Sequence, residues 1–158
     1  MSKNPALTRL EASSNQLTSL DVSKNPALIY LYASSNQLTS LDVSKNPALK
    51  SLEAYSNQLT SLDVSKNPAL ESLNVSNNSF NLKLKPILLG ESINLNKIEK
   101  MVKLPSQLVP TITTSLSDGL NINGENIIST QSGTQKYKVN SQLRYNGYTE
   151  IYEIEVVD

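Results

Sequence analysis

The chain has 158 residues, 38% of them hydrophobic, and its 14 basic and 14 acidic side chains leave no net charge. That is room for one or two small domains with real cores, and the charge balance gives no electrostatic footprint for nucleic acid or an anionic membrane. Cysteine and histidine are both absent, which removes disulfides, thiol nucleophiles, imidazole acid–base chemistry and nearly all transition-metal sites, so an enzyme or a cofactor-dependent protein is not expected.

The opening "MSKNPALTRL" lacks the apolar core of a signal peptide, and no stretch approaches the ~18 consecutive apolar residues of a membrane span. As written, the chain is expected to be soluble and cytoplasmic when expressed. A strict period then takes over. "SKNPAL" begins at Ser2, Ser23, Ser44 and Ser65, and "SNQLTSLDVSKNPAL" stands unchanged at 14–28, 35–49 and 56–70. Within one unit, "LYASSNQLTSLDVSKNPALKS", the apolar positions have neither helical nor long-strand periodicity. Short alternating pieces such as Leu31-Tyr32-Ala33 and Leu41-Asp42-Val43 predict brief strands, each ended by Ser and Asn. A single unit of this kind buries too few aliphatic side chains to offset the entropy of ordering it, so the units must stack, each residue above its own copy. Asn15, Asn36, Asn57 and Asn78, with Asn25, Asn46 and Asn67, are expected to satisfy backbone groups where the strands turn.

Two columns carry more than architecture. Asp21, Asp42 and Asp63 stack in register, and carboxylates ~4.8 Å apart repel by roughly 1 kcal/mol per pair even in water. The repulsion can be met by a calcium ladder, or by Lys24, Lys45 and Lys66 together with hydrogen bonds from neighbouring Ser and backbone N–H groups; no glycine–aspartate loop of the calcium-repeat kind is present. The remaining variation lies on one predicted strand face. It runs Arg9, Tyr30, Ser51, Ser72 in one column, Glu11, Tyr32, Glu53, Asn74 in the next, and Ser13, Ser34, Tyr55, Ser76 in a third. Tyr30, Tyr32 and Tyr55, flanked by Arg9, Glu11 and Glu53, form a candidate partner-binding patch for a protein or glycan, because tyrosine supplies large, stiff area with a polar tip. The alternative is a scaffold in which these tyrosines are ordinary cross-strand β-formers.

The repeat texture stops near residue 80, which predicts one unit over 1–80 and another over 81–158. "PILLGESINL" reads as a strand broken at glycine and "NKIEKMVKLP" as a short helical turn or irregular crossover. "TITTSL", "LNINGENIIST", "QKYKVNSQLRY" and "YTEIYEIEVV" read as further strands, about six in all. "YNGY" at 145–148 signals a type I′ hairpin, and Val75, Phe80, Leu82 and Leu84 are expected at the junction. Glu150, Glu153, Glu155 and Asp158 read as a solvated stripe rather than a hydrolytic carboxylate pair, and "NVS" at 74 and "NNS" at 77 match glycosylation acceptors.

The segments "LTRLEASSN", "LIYLYASSN", "LKSLEAYSN" and "LESLNVSNN" resemble leucine-rich repeats, and the 21-residue unit is similar to those of bacterial surface proteins of the internalin type. The resemblance implies a mostly β fold: a leucine-rich-repeat solenoid of about four 21-residue coils that binds partners at the cell surface or after secretion. In that family the position of Ala12, Ala33 and Ala54 is usually a buried cysteine, so its loss here, with Val75 in the fourth coil, fits an engineered derivative. Internalin-type proteins begin with a helical cap. This chain opens inside a repeat, so weak self-association through residues 1–20 is expected. "LGESINL", "SGTQKYKVN" and "NGYTEIYEIEV" resemble the immunoglobulin-like domains that follow such repeats, implying a small immunoglobulin-like β-sandwich over 81–158 as cap and spacer, although no Cys pair or core Trp is present. Two functions stay open: a binding module that uses the variable face, or an engineered or truncated structural scaffold without a natural ligand.

Overall fold

The computed structural model describes residues 4–83, 87–94, 100–105, 111–116, 119–123, 126–142 and 147–157. Among them there is no helix. Four short strands, β1 (Arg9–Glu11), β2 (Tyr30–Tyr32), β3 (Ser51–Glu53) and β5 (Ser72–Asn74), form one parallel sheet in the order β1-β2-β3-β5. Its register pairs every residue with the one 21 positions on: Leu10 with Leu31, Leu31 with Leu52 and Leu52 with Leu73. The strands are only three residues long because the sequence turns them at once. Ser14, Ser35, Ser56 and Asn77 take φ between 53 and 56°, and the asparagine that follows each closes the bend.

These asparagines also fasten coil to coil. Asn36 donates from Nδ2 to the carbonyls of Ala12, Ala33 and Ser34, and its Oδ1 accepts the Leu17 N–H. Asn57 repeats the set one coil later. On the opposite bend Asn46 donates to the carbonyls of Val22 and Asn25, and Asn67 to those of Val43 and Asn46. Between the two asparagine rows lie the leucines, valines and Ala33 and Ala54, mostly with no exposure at all. The first coil is more open, with Leu10 at 7% and Leu7, Leu17 and Leu20 only partly buried.

The far side of the coils differs from the expectation of a second ladder. Leu62–Asp63 (β4) forms a strand, but Leu20–Asp21 and Leu41–Asp42 do not. The reason is the partner: β4 pairs in parallel with β9 (Val102–Lys103), the Leu62 N–H donating to Met101 O and the Val64 N–H to Lys103 O. The segment read as a helical turn or crossover therefore contains a strand, and residues 96–99 of it lie outside the described residues. Met101-Val102-Lys103-Leu104 stands where the next Ser-Leu-Asp-Val would stand, with Met101 and Val102 buried against the last coil. Val75 and Phe80 are also buried there, whereas Leu84 and the Leu82 side chain lie outside the described residues.

The remaining described residues form two further sheets. One has the order β10 (Thr111–Leu116), β13 (Gly133–Gln142), β14 (Gly147–Val157), β6 (Asn81–Lys83), with β7 (Ile87–Leu88) also on β14. The other runs β11 (Leu120–Asn123), β12 (Asn126–Ser129), β8 (Ser92–Asn94). The first mixes antiparallel β10-β13-β14 with parallel β6 and β7. The glycine break is a turn in which the Glu91 N–H returns to Leu88 O around Gly90 at φ 87°. Buried Ser129 ties the sheets, accepting the Gly90 N–H and donating to Leu88 O. Gln142 pairs with Gly147, so β13 and β14 are set as a hairpin whose connecting residues, Tyr145 and Asn146 among them, lie outside the described residues. The asparagine sequons and the acidic stripe reduce to exposed or strand positions: Asn77 and Glu155 are exposed and Asn74 is half-buried in β5, while the side chains of Glu150 and Glu153, and Asp158, lie outside the described residues.

Candidate functional site

The sheet register sets the variable side chains in the columns expected from comparison of the repeats. Arg9 aligns with Tyr30, Tyr30 with Ser51 and Ser51 with Ser72; Glu11 aligns with Tyr32, Tyr32 with Glu53 and Glu53 with Asn74. The middle residue of each strand is a buried leucine, so the flanking two must face away from the core. Tyr30 is 38% exposed and Arg9 and Glu11 are exposed, whereas Tyr32, Glu53 and Tyr55 are half-buried. The third column is the departure. Ser34 is buried at 1% and Ser13 and Tyr55 are half-buried, because the chain is already bending inward there toward Asn36 and Asn57. Ser34 is therefore not an outward residue, and its N–H is bonded to Ser13 Oγ.

Arg9 organises the upper end of the face. Its Nε donates to Glu11 Oε1 at 2.7 Å, a terminal nitrogen approaches the same oxygen at 2.6 Å, and its guanidinium carbon lies 4.7 Å from the Tyr32 ring centre and 5.7 Å from that of Tyr30. The bond to Glu11 raises the Arg9 pKa above its ordinary value, so the group stays cationic throughout the accessible range. A cation over aromatic faces with a carboxylate at its edge is a compact polar cluster. At this exposure the ion pair itself adds little stability. One coil further on, Lys50 meets Glu71 at 3.5 Å. The Glu53 carboxylate, between these pairs, has no ion-pair or hydrogen-bond partner among the described residues, while its backbone carbonyl accepts the Ala33 N–H.

On the opposite side the aspartates are near enough for Asp21 to oppose the ionisation of Asp42. No strand ladder joins Leu20–Asp21, Leu41–Asp42 and Leu62–Asp63 to one another, and a groove of about 470 Å³ opens between the second and third coils, lined by Asp42, Ser44, Asp63 and Lys66. Each carboxylate is instead held by its own serine. Asp21, Asp42 and Asp63 accept the N–H of Ser23, Ser44 and Ser65 at 2.9 Å, and Asp63 also accepts the Ser65 hydroxyl at 2.6 Å. The serine hydroxyl first, and its N–H second, draw all three pKa values below the ordinary aspartate range. Lys103, in register beside Asp63, adds to the effect there. Among the described residues no three metal-ligating side chains gather.

The columns are legible in the repeats, whereas the Arg9 cluster is not. A two-residue spacing of Arg and Glu on a strand, beneath a Tyr-x-Tyr in the next repeat, is the signal that could have found it.

Against known proteins, the Leucine Rich Repeat family model matches residues 69–90. Among solved structures the chain is similar to the functional domain of InlJ from Listeria monocytogenes, which includes a cysteine ladder, at 20% identity and a TM-score of 0.54. That alignment covers 99% of this chain and 35% of the relative, so the chain spans about a third of the length of the protein it matches. No curated protein matches it. At this identity the likeness bears on the fold. The buried column Ala12, Ala33, Ala54 and Val75 holds no sulfur in this chain.

Proposed function

We propose that this chain is a non-catalytic interaction module, a leucine-rich-repeat solenoid that presents its strand face to a partner, with the immunoglobulin-like part, 81–158, as cap and spacer. The partner class is a protein or glycan met at the cell surface or after secretion, as the similarity to a bacterial internalin suggests. One observation carries the reading. Across three identical fifteen-residue blocks the turns and the Asp-bearing side do not change, while the substitutions fall between the blocks, on the strand positions Arg9, Glu11, Tyr30, Tyr32 and Glu53, at Tyr55, and at Thr8, Ile29, Lys50 and Glu71 just before each strand. A chain selected only for architecture has no reason to confine change to one face. Replacing Tyr30, Tyr32 and Tyr55 together by serine should abolish binding of a partner isolated with the native chain, measured by calorimetry; unchanged affinity would refute the patch.

A second reading has its own support. Unbroken identity between repeats and the alanine column fit an engineered scaffold with thiols removed, and such a chain would capture no partner at all. The outer edge of β1 has no strand partner among the described residues, which supports weak self-association through residues 1–20. A light-scattering mass that stays at the monomer value at millimolar concentration would count against it.

A further inference from the structure

On the strand face one glutamate, Glu11, is paired with a cation from its own strand, and the side chain of another, Glu53, is not. In the first coil the carboxylate Glu11 is met by the guanidinium of Arg9, two residues earlier on the same strand, and that guanidinium lies against the ring of Tyr32 on the next strand. Glu53 occupies the same column two strands down, aligned with Tyr32 above it and followed two residues on by half-buried Tyr55. The position that Arg9 fills for Glu11 is filled for Glu53 by Ser51. Glu53 is thus a half-buried carboxylate among tyrosines with no partner of its own among the described residues.

We infer that Glu53, with Tyr32 and Tyr55, is a subsite for an arginine or lysine side chain of a protein partner. The site rests on the proposal that the strand face is the binding surface, and it names the chemistry that surface selects. The physical grounds are charge complementarity and precedent within the molecule. A half-buried, unpaired carboxylate gains from a cation that can also lie against a neighbouring ring. Arg9 shows a guanidinium held between Glu11 and the Tyr32 ring of the following strand. At Glu53 the following strand carries Asn74, so the rings come from Tyr32 on the preceding strand, whose ring also meets Arg9, and from Tyr55 two residues on. An acidic or purely apolar group at the same place would leave Glu53 unpaired or repelled.

The test titrates N-acetyl-arginine amide into the full chain and follows backbone amide and tyrosine ring resonances, with N-acetyl-norleucine amide and N-acetyl-glutamate amide as matched apolar and acidic probes. The arginine probe should move Tyr32, Glu53 and Tyr55 together and bind at least tenfold more tightly than the norleucine probe. Glu53→Gln should remove that preference, and Ser51→Arg, which supplies the cation from the chain itself, should do so too while Glu53 remains. Arginine binding that is unchanged in both variants overturns the inference. If the apolar or acidic probe moves the same tyrosines as strongly, the cation subsite fails while the binding face stands. Failure of every probe to move any strand-face signal counts against both.

Discussion

Asn46 and Asn15 occupy equivalent kinds of bend yet differ in consequence. Asn46 is fully buried and its amide bridges the carbonyls of Val22 and Asn25 in the preceding coil. Truncation removes both bonds, although each carbonyl keeps a backbone donor, the Asn25 N–H on Val22 O and the Leu28 N–H on Asn25 O; two net bonds of about 0.5–1.5 kcal/mol each are lost. Asn46→Ala should therefore lower stability by about 1–3 kcal/mol in denaturant unfolding. Asn15, exposed and bonded only to the nearby carbonyls of Ala12 and Ser13, should cost about 1 kcal/mol or less on the same change. Asp42 illustrates the opposite surface. Its pKa is depressed by the Ser44 hydroxyl and N–H. The stabilisation is therefore present above the unfolded aspartate value of about 3.9 and disappears as pH falls through the lower folded value. Ser44→Ala should raise the Asp42 pKa in a carboxyl carbon NMR titration and move the onset of acid unfolding to higher pH. An unchanged titration would mean that the serine is a bystander.

At the scale of elements, β9 is the informative case. Val102 and Lys103 pair with Leu62 and Asp63 in the register the next repeat would have used, so a non-repeating segment imitates a coil and replaces its aspartate by a lysine. The substitution ends the carboxylate column with the opposite charge. Lys103→Glu should weaken docking of β9 by about 1 kcal/mol, the scale of a like-charge cross-strand pair. Amide hydrogen exchange should become faster at Leu62 and Val64, with Leu31 and Leu52 unaffected. The element was unreadable beforehand because "NKIEKMVKLP" carries no period of its own. It becomes a strand only because the last coil offers unpaired N–H groups at Leu62 and Val64.

For the whole molecule, identical repeats with coil-to-coil contacts imply nearest-neighbour energetics. Deleting residues 23–43, one full period, joins Val22 to Ser44 and leaves the buried leucine and asparagine columns in register. The shortened chain should unfold cooperatively with a smaller denaturant slope, in proportion to the surface lost. Loss of cooperative unfolding would show that residues 81–158 require the full stack. A single cluster of buried residues runs from Leu10 through Val75 and Phe80 to Met101, Ile127 and Ile154. The junction is therefore an apolar contact, with β6 carrying the chain directly from the last coil to β14.

Periodicity alone determined the 21-residue register, the buried leucine columns, the asparagine bends and the face on which variation falls. Those features are local, or repeat themselves, and a residue stacked on its own copy has its environment written in its own sequence. The tertiary structure alone decided which sides of the coils are laced by hydrogen bonds, that Ser34 turns inward, that Arg9 lies over Tyr32, and that residues 101–104 complete the last coil. Each of these depends on the distance between segments that no local pattern encodes. Side-chain direction at a bend, and the edge that a distant strand finds, are settled only when the coils are packed.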